Sequence, residues 1–199
     1  MPAEGVRDQL LATGVRLFAA RGYDAVSVQE VVEAAGVTKG AFYHYFRSKD
    51  ELLHEIYRWL LELQLARLEG FLTAAGPPDR RLHDAAVDVV MTSFAHRDEF
   101  TVFVRSMHRL DDANAAAVRT ERRRYHDRFR SLVEQGQQAG ALRADVDADV
   151  AVHTFLGAAH QIPEWFRPGG RLTVEQVAEQ MVALLLDGLR GGRRRGSTD

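Results

Sequence analysis

Along most of the chain apolar residues return every three or four positions, the period of helices that bury one face. Residues 6–21 carry Leu10, Gly14, Leu17 and Phe18 on one side, and Gly22 follows where a helix can end in the left-handed conformation. Ser27-Val28-Gln29-Glu30 sets a hydroxyl at an N-cap and a carboxylate three residues on, a reciprocal cap. Val28, Val31 and Val32 give that helix a short apolar face, and it ends near Ala35 with Gly36 as its breaker. Thr38 then caps a very short helix, Lys39 to His44 or Tyr45, with Phe42 and Phe46 inward. Ser48-Lys49-Asp50-Glu51 repeats the cap and opens a long helix to Ala74, lined by Leu52, Leu53, Ile56, Leu60, Leu63 and Leu68.

Gly76-Pro77-Pro78 breaks the pattern. Further helical periods cover 79–96, 98–110, 113–139 and 147–162, the last ended or kinked by Pro163. Arg167-Pro168-Gly169-Gly170 is a stop, and Thr173 caps a final helix to 190. There is no alternating strand pattern and no repeat, so the spacing predicts an all-α fold of about nine helices.

Composition narrows the function. Apolar residues make up 46% of 199, enough for a sizeable core. The net charge of −2 argues against a protein that coats nucleic acid by bulk charge, although 119–130 and Arg190 to Arg195 are locally basic. Cysteine is absent, which removes disulfides, thiolate metal sites and a cysteine nucleophile. No apolar run approaches the ~20 residues of a membrane span, and the N-terminus lacks the basic and apolar regions of a signal peptide. A cytoplasmic protein without a membrane partner is expected. No Gly-rich phosphate loop or nucleophile elbow stands in the sequence, so no catalytic residue, cofactor or enzyme activity is expected. His153 and His160 share a face but lack a third ligand; they read as pocket-lining or core histidines, and no metal is expected.

Two short helices joined by a turn at Gly36 make a helix-turn-helix. The second spans only ~10 Å, about the width of a DNA major groove. Thr38, Lys39 and Gly40 stand at its start, where free N–H groups attract phosphate and a missing side chain permits close approach. Tyr43 and His44 lie outward. The same caps and turn also join helices in any bundle.

The run from Phe18 through Gly22-Tyr23 and Ser27-Val28-Gln29-Glu30-Val31 to Ala35-Gly36-Val37-Thr38-Lys39-Gly40-Ala41-Phe42-Tyr43-His44-Tyr45-Phe46-Arg47-Ser48-Lys49-Asp50-Glu51-Leu52 resembles the TetR-family DNA-binding domain, over about the first 55 residues. The resemblance implies a three-helix DNA-binding domain, residues 1–50, and a helical ligand-binding and dimerisation domain, residues 51–190. Residues 191–199 read as a basic, disordered tail. It also implies a homodimeric repressor on a palindromic operator. Phosphate contacts are implied for Thr38, Lys39, Tyr43 and Lys49, and base contacts around Thr38 to His44. With Ser27 and Gly40 these form the candidate DNA-contacting set.

Two later segments, Gly140 to Asp147 and Trp165 to Thr173, are similar to the ligand domains of TetR regulators that respond to acyl-CoA thioesters in fatty-acid and steroid catabolism. His160 and Glu164 depart from the steroid type, which has an aromatic and a basic residue there. The candidate ligand contacts are Phe94, Phe103, Tyr125, Phe129, Phe155, His160 and Trp165, all of which serve equally well in an ordinary core. Arg105, Arg109 and Arg123 are candidates for a basic rim that meets the phosphates of coenzyme A. Arg119, Arg122 and Arg123 also share one helix face, which reads equally as a solvated surface. Met181, Leu184, Leu185 and Leu189 exceed one core stripe and, with helix 147–162, suit a four-helix dimer interface. The expected effector is an acyl-CoA that releases DNA. An aromatic or multidrug effector is the alternative, and an acyl-CoA-processing helical enzyme is the rival from another class.

Overall fold

The structure, a computed structural model, describes residues 5–190; the basic tail 191–199 lies outside the described residues. Among the described residues the chain is all-α. The helices are α1 (Val6–Arg21), α2 (Val28–Ala35), α3 (Lys39–Tyr45), α4 (Lys49–Thr73), α5 (Pro78–Ala95), α6 (Arg97–Ser106), α7 (Asp112–Gln138), α8 (Ala148–His160), α9 (Ile162–Trp165) and α10 (Val174–Leu189). Helix α9 is a four-residue turn opened by Pro163, and a 3-10 turn, Met107–Arg109, follows α6. Nine of the ten are thus full helices, with starts where the caps and breakers placed them.

The caps account for those starts. Ser27 Oγ accepts from Glu30 N at 3.2 Å while the Glu30 carboxylate accepts from Ser27 N at 2.8 Å. Thr173 and Gln176 make the same exchange at the head of α10. At α4, Ser48 Oγ accepts from Glu51 N, but the Glu51 carboxylate reaches one residue further out, to Arg47 N at 2.5 Å. Gly36 ends α2 at φ 67°, a conformation that costs a side-chain-bearing residue about 1–2 kcal/mol.

The described chain forms two compact units. The first comprises residues 5–62 and 96–122, the second 63–95 and 123–190. In the first, α1, α2 and α3 close around Phe18, Phe42 and Phe46, all fully buried. A buried phenylalanine of this kind costs about 3–5 kcal/mol to truncate. Helix α6 packs along α1. The Tyr57 hydroxyl of α4 lies 3.1 Å from the carbonyls of Val102 and Phe103 and donates between them. The first unit therefore takes in more chain than the residues 1–50 assigned to reading DNA. In the second unit α5 packs against α8, α9 and α10 over a core that includes Leu82, Phe129, Leu132 and Leu156. No helix among the described residues is long and apolar enough to cross a membrane, and no three metal-ligating side chains cluster there.

Candidate nucleic-acid interface and ligand pocket

Helix α3 is held from below and polar above. Phe42 packs edge-on to Tyr43 at 5.4 Å and against Phe46 at 5.6 Å, so the α3 backbone is fixed through its buried ring. Thr38 Oγ1 accepts from Ala41 N at 3.1 Å and fixes its start. Thr38, Lys39, Gly40, Tyr43 and His44 are all exposed, Tyr43 by 51%. Tyr45 is exposed as well, and its ring meets that of His44 at 4.8 Å. It was missing from the candidates, although seven residues on so short a helix leave most side chains outward.

Gly40 has no internal explanation. Its φ is not positive, and a Cβ there would meet only Thr38 Oγ1, at 3.7 Å. A glycine inside a helix costs roughly 0.5–1 kcal/mol against alanine. Neither the backbone nor the packing of this chain requires a glycine at this exposed position.

Lys49 has a second attachment. Its Nζ donates to the carbonyls of Tyr23 at 3.0 Å and Val26 at 2.8 Å and sits 4.1 Å from the centre of the Tyr23 ring. Asp50 accepts a short hydrogen bond from the Tyr23 hydroxyl. Burial, then that bond and the Asp50 charge, push the Tyr23 phenol well above its ordinary value. The start of α4 is thereby tied to the α1–α2 loop that leads into Ser27. An ammonium has three donors, and these two carbonyls take two of them.

The candidate ligand residues divide between the units. Phe103 is core in the first unit, where its ring packs at 5.0 Å on Tyr57. Phe129 and Phe155 belong to the second unit, where their rings stack at 5.8 Å in its core. Arg105 and Arg109 also belong to the first unit, in a cleft beside the α1–α2 loop, and Arg109 pairs with Asp24. Arg123 is exposed on α7. Phe94 packs on Phe166, and Trp165, 52% exposed, lies on the surface.

Tyr125 and His160 do come together, through a residue the sequence reading overlooked. Gln64 Nε2 lies 3.3 Å from His160 Nε2, the amide donating and the imidazole accepting, and Tyr125 shares a hydrogen bond with Gln64. All three are buried. Burial above all, then the nearby Asp88 charge, raises the Tyr125 phenol far beyond its ordinary value. A cavity of about 10 Å³ adjoins Gln64, Tyr125, Thr92 and Asp88, with Leu68 and Phe71 as apolar walls. That is room for about one water. Gln64 interrupts the stripe Tyr57, Leu60, Leu61, Leu68 on α4, and that interruption was its sequence signal.

Helices α8 and α10 leave an apolar groove of about 360 Å³ between Val150, Thr154, Ala158, Met181, Leu184 and Leu185. Leu184 is 78% exposed. Leu189 also lines this groove, at its inner edge: it is 3% exposed, because it follows Val182 and Leu186 by seven and three residues on the inward stripe.

The profile of the family described as "Bacterial regulatory proteins, tetR family" matches residues 10–56. That of the "Tetracyclin repressor-like, C-terminal domain" matches residues 75–189. The HTH-type transcriptional repressor KstR2 of Rhodococcus jostii (strain RHA1) is 33% identical over 193 residues, covering 93% of this chain and 91% of that protein. The solved structure of the ketosteroid transcriptional regulator KstR2 of Mycobacterium tuberculosis superposes with a TM-score of 0.85 at 26% identity, over 96% of this chain and 97% of that one. A structure of AibR in complex with isovaleryl coenzyme A and operator DNA superposes with a TM-score of 0.80 at 28% identity, over 92% of this chain and 98% of that one.

Proposed function

This chain belongs to the TetR family of bacterial regulatory proteins, and on that premise we propose that it is a homodimeric transcriptional repressor that reads a palindromic operator with α3 and is released by an acyl-CoA thioester. The observation that carries the DNA-reading part is the exposed face of α3: a buried phenylalanine underneath, polar side chains above, and at Gly40 a glycine that nothing in the chain requires. Lys39, Tyr43 and His44 meet base edges and phosphates, while Ser27, Thr38 and the third donor of Lys49 hold the flanking backbone. Two copies joined through the α8–α10 groove set their α3 helices to read half-sites about one helical turn, ~34 Å, apart.

The effector part rests on the buried polar cluster Gln64, Tyr125 and His160 and on the likeness to KstR2 and AibR. Burying polar groups in an apolar core costs free energy unless each finds a hydrogen-bond partner. A cluster retained there suits a ligand with a polar centre, such as a thioester carbonyl, flanked by an apolar chain. The name of KstR2 points to ketosteroids, and AibR was crystallised with isovaleryl coenzyme A and operator DNA; this chain is similar to both.

The test is release of DNA. Duplexes selected by the protein from a random pool are bound in a fluorescence anisotropy assay and titrated with short, long and aromatic acyl-CoAs, the matching free acids and coenzyme A alone. At least one thioester is expected to weaken binding tenfold or more while its free acid does not. Equal potency of acid and thioester overturns the acyl-CoA reading. Release of free coenzyme A on incubation supports the enzyme instead.

A further inference from the structure

The first unit holds a basic cleft of about 220 Å³ that the α3 surface does not use. On one side stand Arg21, Tyr23 and Asp24, at the end of α1 and in the loop after it; on the other stand Arg105, His108 and Arg109, at the end of α6 and in the 3-10 turn. Three guanidinium groups thus face a lining with a single carboxylate, Asp24. The floor is made by Tyr23, which is buried and held by Lys49 and Asp50, so the cleft has a rigid base.

Two of its arginines, Arg109 and Arg21, make only exposed ion pairs. Arg109 pairs with Asp24 at 2.5 Å, but the side chains are 46% and 64% exposed. Arg21 pairs with Glu30 at 2.8 Å in a similarly open position. Exposed ion pairs of this kind contribute little and exchange readily. A phosphate offers a guanidinium two acceptor oxygens in the fork geometry that it fits best, so an arriving phosphate can displace the carboxylate.

We propose that this cleft binds a phosphate of the DNA backbone outside the stretch read by α3, and so extends the contact of each subunit along the duplex. The inference rests on the DNA-binding reading above. The source of the phosphate follows from chain connectivity. The cleft wall formed by Tyr23 and Asp24 runs directly into Ser27, the N-cap of α2, and α2 leads through Gly36 to α3. Asp24 and Ser27 are three residues apart, so their Cα atoms lie within ~11 Å of each other, and a DNA strand held at Ser27 is close to the cleft. A free phosphorylated ligand shares the chemistry, and the experiment separates the two.

The variants are Arg105→Gln/Arg109→Gln, which removes two charges, and Arg105→Lys/Arg109→Lys, which keeps them. Thermal melts establish that both fold. Affinity for a selected 40-base-pair duplex is measured from low to moderate salt, then for the same site trimmed to its read core. The Gln variant is expected to lower the slope of log K against log salt by about 0.9 per cleft on the long duplex. It is expected to match the wild type on the trimmed one, with Lys restoring most of the slope. An unchanged slope on the long duplex overturns the cleft proposal while the repressor reading stands. Inorganic phosphate and coenzyme A are titrated against the protein alone in parallel; wild-type binding that the Gln variant loses, with DNA slopes equal, assigns the cleft to a free ligand and also overturns the proposal. Failure of the wild type to bind any selected duplex overturns the DNA-binding reading itself.

Discussion

Lys49 shows how one side chain carries two demands. The motif around it assigns it to phosphate, and the structure gives two of its three protons to the carbonyls of Tyr23 and Val26. Lys49→Ala is therefore expected to do two things at once. Two carbonyls lose a charged donor, which costs about 1–3 kcal/mol of stability, and the salt slope of DNA binding falls by about 0.9. Melting curves and salt titrations on one preparation read both. A lower Tm with an unchanged slope confines Lys49 to anchoring the loop. Glu30 gives a second residue-scale prediction. The Ser27 backbone N–H, then the Ser27 hydroxyl and Arg21, hold its carboxyl at about 2, against an ordinary 4.5. A depressed pKa adds stability that is complete above the ordinary value and is lost as pH falls towards the folded one. Glu30→Gln keeps an acceptor for the cap but removes the charge. The Tm gap between wild type and variant should be full near neutral pH and close between about 4.5 and about 2. A gap that persists in acid excludes the charge as its origin. Glu30 was legible because a cap is written within four positions of sequence. Gln64 was not, since its partners His160 and Tyr125 come from α8 and α7, more than sixty positions away.

At the scale of elements, starts and stops were the readable part. Ser27, Thr38 and Thr173 cap, Gly36 and Gly140 stop, and the helix read over 147–162 as ended or kinked by Pro163 closes at His160, with the short α9 following around that proline. Which face of α10 looks where was harder to read. Met181 to Leu186 are six successive apolar residues, which blurs the period, and only the packed neighbours decide that 186 and 189 are core and 184 is surface. An apolar groove lined by Val150 and Leu184 in water calls for a covering surface, and in the proposed dimer the partner's α8 and α10 supply it. Leu184→Asp is expected to leave the helical signal and Tm of the subunit fold in place while sedimentation shows monomers and DNA affinity falls by the loss of paired half-sites. Leu186→Asp, which buries a charge, is expected to unfold the second unit instead. A Leu184→Asp protein that still sediments as a dimer removes α10 from the interface.

For the whole molecule, the arrangement to explain is one chain that crosses between its two units three times: within α4 at 62/63, at 95/96 between α5 and α6, and within α7 at 122/123. Two crossings lie inside unbroken helices, so a shift of either helix in the second unit is carried by covalent structure into the first. The cavity at Gln64 holds about 10 Å³, so an effector of acyl-CoA size enters only if α4, α5 and α7 move apart. Under the proposed function that opening and the DNA-reading geometry are alternatives, and linkage makes the penalty reciprocal: DNA weakens the effector by the factor by which the effector weakens DNA. Converting the polar cluster to apolar groups of similar size separates the switch from the fold. In Gln64→Leu/Tyr125→Phe/His160→Leu all three hydrogen-bonding partners leave together, so no donor or acceptor within the triad is orphaned, and exchanges of this kind can be neutral or stabilising. The triple variant is expected to melt at or above the wild-type temperature and to bind DNA as tightly, while the thioester that releases the wild type no longer releases it. The single change His160→Leu, which strands the Gln64 amide, should instead cost about 1–3 kcal/mol. A triple variant that still lets go of DNA on adding the thioester places the effector elsewhere and leaves Gln64, Tyr125 and His160 as core.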